Sequence, residues 1–291
     1  MNVQYRTIGK RKVSAIGLGE MPMSIEGRPD EAQSIRTIHA ALDAGVNFID
    51  TADAYSIGGA DTGHGEKLLA KALASWSGDK DSVLVATKGG HYRPGDGSWH
   101  VNSRPEYLRA AVEASLRRLG VESIGLYQHH RPDPSVDYAD TMGILKEFLD
   151  AGKIQMAGIS NANIEQIKIA MSILGSGNLV SVQNQFSLVF RSGEKEMNFC
   201  EENDVVFIPW SPLGGIGRAK SLSGGYAPVT EAAKRHGVSP QQAVLSWMLS
   251  LGKNVIPIPG ASKPETILDS AKSVDLVLDE EELRQISGIH P

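Results

Sequence analysis

Cysteine is nearly absent: Cys200 is the single thiol in 291 residues. That excludes an intrachain disulfide and any thiolate cluster for a metal, and it suits a reducing compartment, so a cytoplasmic location and no metal are expected. Long apolar runs are also missing. None approaches the roughly 18 residues that would cross a bilayer, and VSAIGLG, which follows Arg6, Lys10, Arg11 and Lys12, is too short and glycine-broken for a secretory signal. No membrane role is expected. No basic block interrupts a net charge of -5, which argues against a nucleic-acid partner. A GxGxxG fingerprint after the first strand-like run is absent, which counts against a doubly wound dinucleotide-binding sheet. Linkers and low-complexity tracts are absent as well. One core suffices at this length, so residues 1–291 are expected to form a single domain.

What the chain does have is alternation. Eight apolar, β-rich runs recur, namely SAIGLG, GVNFID, SVLVATK, IGLYQHH, IQMAGIS, LVSVQNQ, VVFIPW and NVIPIPG. Helical patterns separate most of them, among them DEAQSIRTIHAALDAG, RPEYLRAAVEASLRRLG and DYADTMGILKEFLDAG. This order predicts an α/β fold, a (β/α)8 TIM barrel with an N-terminal hairpin. Two helical patterns follow VVFIPW, so one is extra, and DEEELRQISGI predicts a capped helix outside the barrel. Gly45, Gly120 and Gly152 mark helix ends, and Pro105 and Pro264 mark helix starts. Two connections are long, 89–104 and 212–228, and long loops at one barrel end are where binding residues usually lie.

Polar residues fall at the C-terminal ends of these runs. Asp50 and Tyr55 follow VNFID, Lys88 ends VLVATK and His130 ends IGLYQHH. A tyrosine can exchange a proton near neutral pH if a neighbouring ammonium stabilises its phenolate, with a carboxylate holding the ammonium in place. Taken singly, Asp50 reads as a strand-end cap, Tyr55 as a loop anchor and Lys88 as a surface charge. A barrel would bring them to one mouth, and that convergence favours an acid–base site. His129, His130 and Asp133 offer a metal-site alternative, but adjacent strand residues point to opposite faces. Trp99 either walls a pocket or anchors its own loop, and Met21 and Met23 either line a pocket or fill the core.

Carried by DTADAY, VATK and LYQHHRPDP, the chain resembles the aldo-keto reductases over almost its full length. The resemblance implies hydride transfer from NADPH to a small-molecule carbonyl, with Tyr55 as the acid, Lys88 lowering its pKa, Asp50 orienting Lys88 and His130 positioning the oxygen. His129 is the runner-up to His130. Ser160, Asn161 and Gln183 match residues that hold the nicotinamide carboxamide, and Trp210 the aromatic that stacks on its ring. Ser211, Leu213, Gly214 and Gly215 match a pyrophosphate loop, with Arg218 or Lys220 adding charge. Gly260, Ala261, Ser262 and Lys263 match a second phosphate loop, Ser262 and Lys263 suiting the adenosine 2'-phosphate of NADP. The family pattern departs at Thr266 and at Asp269-Ser270, where relatives often carry Arg or Gln and then Glu-Asn.

A narrower resemblance to pyridoxal reductase-like members makes pyridoxal or another aromatic aldehyde a candidate substrate. Two other classes remain open at this point: a barrel aldolase using Lys88 as a Schiff-base nucleophile, and an NADPH-binding sensor or channel-type regulatory partner with little turnover. Oligomeric state is not legible.

Overall fold

The computed structural model describes residues 4–215, 217–219, 222 and 225–289. Strands β1 (Tyr5–Ile8) and β2 (Arg11–Ser14) pair antiparallel as the expected hairpin. Ile8 and Val13 are fully buried against Leu84, Leu126, Val180 and Val206, so the hairpin plugs the N-terminal end of the barrel with apolar side chains.

Seven parallel strands make the wall: β3 (Leu18–Gly19), β4 (Phe48–Asp50), β5 (Leu84–Gly89), β8 (Leu126–His129), β9 (Ala157–Ser160), β10 (Leu179–Gln183) and β11 (Val206–Phe207). Two short strands, β6 (His91–Tyr92) and β7 (His100–Val101), form an antiparallel hairpin inside the long connection after β5. The eighth staves lies at 254–260 and is joined to its neighbours by isolated bridges, Val255 to Phe207 and Gly260 to Gly19. Its sequence explains the thin pairing. Ile256 and Ile258 donate to Phe207 O and Pro209 O, whereas on the other side Pro257 and Pro259 offer only carbonyls, which accept from Gly17 N and Gly19 N at 3.0 Å. The sheet therefore closes on itself, which a doubly wound sheet does not do.

The helices are α1 (Glu31–Asp43), α2 (His64–Ser75), α3 (Pro105–Leu119), α4 (Tyr138–Asp150), α5 (Ile164–Leu174), α6 (Glu194–Glu202), α7 (Ala227–His236), α8 (Pro240–Ser250), α9 (Pro264–Ala271) and α10 (Glu280–Ser287). Their ends follow the sequence signals. Asn163 and Gln166 close a capping box at α5, as do Asp279 and Glu282 at α10. Pro105 and Pro264 sit in first turns, where a missing N–H costs no helical bond. Gly120 takes φ 70° after α3, a left-handed value that other residues adopt at a cost.

Two helices do follow β11. The second of them, α8, is buried from Gln242 to Leu249, and Trp247 Nε1 donates to Ser287 Oγ at 3.0 Å, tying α8 to α10 outside the barrel. Cys200 lies buried in α6, where its thiol is pushed up to about 12 by burial. Among the described residues no helix is long and apolar enough to cross a membrane.

Candidate active site

The parallel register puts Asp50 at the end of β4 and Lys88 near the end of β5, with Gln128 beside Lys88 on β8. Lys88 is fully buried, so it is no surface charge. Its three ammonium protons have three acceptors: Asp50 Oδ1 at 2.5 Å, Thr51 O at 2.9 Å and Tyr55 Oη at 3.1 Å. The second Asp50 oxygen accepts from Gln128 Nε2 at 3.0 Å and Gln183 Nε2 at 2.9 Å. Gln128 was not singled out in the sequence, because one glutamine inside an apolar strand carries no spacing signal. Gln183 turns its amide nitrogen inward to Asp50 while still lining the central cavity.

Burial pulls the Lys88 pKa down, but Asp50 and Tyr55 together raise it above its ordinary value, so the side chain stays an ammonium. An amine nucleophile needs the opposite state, which removes the support for a Schiff-base reading. For Tyr55 the balance differs from the expectation. Burial raises the phenol pKa more than Lys88 lowers it, and the net direction is up. Tyr55 therefore keeps its proton at neutral pH, while Lys88 offsets part of the cost of a buried phenolate.

His130 stacks edge-on to Tyr55 with ring centroids 5.7 Å apart, and His91 lies 4.6 Å from it. Burial, then the charge of Lys88, holds His130 well below its ordinary pKa, so the imidazole is neutral. His129 faces the helices instead. Its Nε2 is 2.8 Å from Ser103 Oγ and its ring meets Tyr138 of α4, which separates it from the mouth.

A further carboxyl lies behind this group. Glu20, directly after β3, is fully buried, hydrogen-bonded to Ser24 Oγ and 2.9 Å from Thr51 Oγ1. Ser24 Oγ lies 2.8 Å from His64 Nδ1 at the start of α2. Burial, opposed by those hydroxyls and by Lys88, pushes Glu20 up to about 8. A side chain at Gly65 would collide with the Glu20 carboxyl, so the glycine in the first turn of α2 makes room for it.

These groups open into a cavity of about 810 Å³ at the C-terminal end of the strands, the expected place for a barrel site. Tyr55, His91, Trp99 and His130 line one side and Met21, Pro22 and Ile25 another. Met23 does not line the cavity; it packs in the core with Leu18, Ile38 and Ile267. Trp99 both lines the cavity and is held in place. The Arg93 guanidinium lies 4.6 Å from the Trp99 ring, binds Glu26 through two nitrogens at 2.5 and 3.0 Å, and donates to Ser56 O. One buried arginine thus ties together the loops after β3, β4 and β5.

On the opposite side stand the residues matched to the cofactor. Ser160 Oγ donates to Gln183 O at 2.7 Å, and Asn161, at φ 59°, donates to His130 O and Ser160 Oγ at 3.0 Å each. Trp210 lines the cavity, and its buried Nε1 has no hydrogen-bond partner among the described residues. Ser211 (φ 53°), Gly214 (φ 85°) and Gly215 (φ 90°) turn the backbone left-handed beyond it. Leu213 is shared with a smaller neighbouring pocket lined by Gly214 and Arg218. Gly260 reaches the cavity, pressed so close to Pro22 that a Cβ would sit 2.8 Å from its ring.

Ser262 and Lys263 line neither pocket; Ser262 O accepts from Gln33 Nε2 at 2.8 Å, and Lys263 is the N-cap of α9. Lys220 lies outside the described residues. Asp269 is engaged within the fold, accepting from Ser239 Oγ and Gln242 Nε2 at 2.6 Å each, which fixes the start of α8.

The family model of the Aldo/keto reductase family matches residues 15–291. An uncharacterized oxidoreductase of Schizosaccharomyces pombe is 35% identical over 279 residues, covering 94% of this chain and 86% of its own. The glycerol dehydrogenase of Gluconobacter oxydans has a solved structure that is 28% identical with a TM-score of 0.82, over 98% of this chain and 94% of that one. An aldo/keto reductase of Klebsiella pneumoniae, solved in complex with NADP and acetate, is 25% identical with a TM-score of 0.80 and the same coverage. With the barrel closed and the Asp50, Tyr55, Lys88 and His130 side chains gathered at its mouth, this chain is an oxidoreductase belonging to the aldo/keto reductase family.

Proposed function

We propose that the protein, as one barrel domain spanning residues 1–291, reduces an aldehyde or ketone to the alcohol with NADPH, Tyr55 acting as general acid. The observation that carries this reading is the single ammonium of Lys88 bonded to Asp50, to Thr51 O and to the Tyr55 hydroxyl. Bound NADPH supplies the hydride. Tyr55 donates its phenolic proton to the carbonyl oxygen as charge develops there. Lys88 stabilises the phenolate left behind, and Asp50, clamped by Gln128 and Gln183, keeps Lys88 aimed. His130, being neutral, hydrogen-bonds the same oxygen without competing as an acid.

The groove fits the cofactor. Trp210 offers a flat face for the nicotinamide, Ser160, Asn161 and Gln183 offer polar atoms for its carboxamide, and the left-handed turn at Ser211, Gly214 and Gly215 leaves little side-chain bulk where a phosphate would approach the backbone. Arg218 would add charge beside the pyrophosphate, and beyond Gly260, which lines the cavity, Ser262 and Lys263 at the start of α9 would meet the adenosine 2'-phosphate. The walls formed by Trp99 and His91 favour aromatic aldehydes, pyridoxal among them.

The test is NADPH consumption against pyridoxal, other aromatic and aliphatic aldehydes, ketones and sugars, with NADH in parallel. Tyr55→Phe should cut carbonyl reduction by about 10² to 10⁴-fold while NADPH affinity stays within about twofold. Equal turnover by wild type and variant would sink the acid role, and tight NADPH binding without turnover of any carbonyl would favour a sensor or regulatory partner.

A further inference from the structure

Among the described residues lining the cavity, Arg131 is a cation that the reduction chemistry does not use. Arg131 follows His130 directly and lines the mouth, where its side chain is exposed. Its Nη2 donates to Asn161 Oδ1 at 3.3 Å, which leans the guanidinium over the opening. Arg131 enters none of the ion pairs among the described residues.

The nearby carboxylates are already occupied. Asp50 is the acidic residue among the described residues that line the cavity, and its oxygens serve Lys88, Gln128 and Gln183. Asp133, two positions on, accepts from Ser103 N at 3.0 Å and from Ser135 N and Oγ at 2.9 and 2.7 Å. Glu26 is held by Arg93. Among the described residues no carboxylate forms an ion pair with this guanidinium, and its charge disfavours protonation of both His91 and His130. Much of the cavity they share is lined by apolar or aromatic side chains, with Ile25, Trp99 and Val101 among them.

We propose that Arg131 forms an anion subsite at the rim, and that the preferred substrates are carbonyl compounds with a compact apolar or aromatic body and a carboxylate or phosphate at the far end. The inference rests on the reductase reading for the carbonyl end, but the anion end is separately measurable. A guanidinium fork pairs with planar carboxylates and with phosphates through two parallel bonds, a match that a neutral ester cannot make.

Para-carboxybenzaldehyde and its methyl ester present the same ring and the same aldehyde. Wild type should favour the acid in kcat/KM by about tenfold, chiefly through KM, and the preference should shrink as salt is raised. Arg131→Gln should erase the preference and Arg131→Lys should restore part of it. Benzaldehyde phosphate and carboxylate derivatives run side by side separate the two anion types. Equal kcat/KM for acid and ester in wild type, or an equal fall for both in Arg131→Gln together with weaker NADPH binding by fluorescence titration, would overturn the subsite and assign Arg131 to the cofactor or to Asn161.

Calorimetric titration of the NADP-bound protein with para-carboxybenzyl alcohol and its methyl ester reads the subsite without turnover. About tenfold tighter binding of the acid, lost in Arg131→Gln, supports the subsite even if no carbonyl is reduced. In that case it is the reductase reading that fails.

Discussion

The two sides of the barrel mouth hold the residues proposed for catalysis and for the cofactor by different means. On the side of β4, β5 and β8 the groups are side chains locked to one another: the ammonium of Lys88 and the carboxylate of Asp50 are saturated with partners at 2.5 to 3.1 Å. On the side of residues 211–215 and 260–263 it is the backbone that is arranged, through left-handed turns at Ser211, Gly214 and Gly215 and the close approach of Gly260 to Pro22. A proton must be placed at one atom, and this needs rigid charges in a low-dielectric setting. A nucleotide is long and anionic, and a backbone turn that phosphate can approach closely would serve it with little dependence on side-chain type.

The comparison is broken most severely by Lys88→Met. It should cut kcat by about a thousandfold and destabilise the fold by about 3–5 kcal/mol, because Asp50 is left buried without its cation; steady-state kinetics and chemical denaturation read the two effects. An intact fold with only a few-fold loss of rate would mean that the locked side is not locked by Lys88.

Glu20→Gln sharpens the comparison, since Glu20 belongs to the same buried side but is held protonated. The folded protein keeps this proton up to about pH 8, whereas an unfolded chain releases it near 4.5. Stability conferred by the bound proton is therefore complete below about 4.5 and declines as pH rises toward 8. The full span corresponds to on the order of 5 kcal/mol. The Gln variant should lose most of this decline in denaturation curves taken at pH 5 and pH 8. Parallel slopes in wild type and variant would show that Glu20 ionises normally.

Gly215→Val tests the backbone side and should have the smallest effect. At φ 90° a β-branched residue is strained by about 1–3 kcal/mol, enough to weaken NADPH binding by about tenfold, while kcat at saturating cofactor stays near wild type. A kcat loss without an affinity loss would place the turn on the chemical side instead.

The same division explains what the sequence disclosed. The meeting of Asp50, Tyr55, Lys88 and His130 at one mouth was legible because charged and aromatic residues at strand ends contrast with the apolar runs before them. The helix ends were legible because Asn163, Pro105 and Gly120 act locally. Gln128 and Glu20 were not, since their roles depend on neighbours far along the chain: Gln128 meets Asp50 across 78 residues and Glu20 meets Thr51 across 31. The net rise in the Tyr55 pKa was also hidden, because the sequence shows the neighbouring lysine but not the extent of burial. Arg93, which binds Glu26 across 67 residues, looked like an ordinary loop arginine.

The prolines of the eighth stave give the barrel a parting line. Around most of the hoop each strand both gives and takes hydrogen bonds along a ladder, but at 257–259 the traffic runs one way, from Gly17 and Gly19 to Pro257 and Pro259. The wall is thinnest where the chain's first barrel strand meets its last. That seam runs up to Gly19 and Gly260, both of which line the cavity, so the mouth of the site rests on the joint by which the cylinder would part most easily.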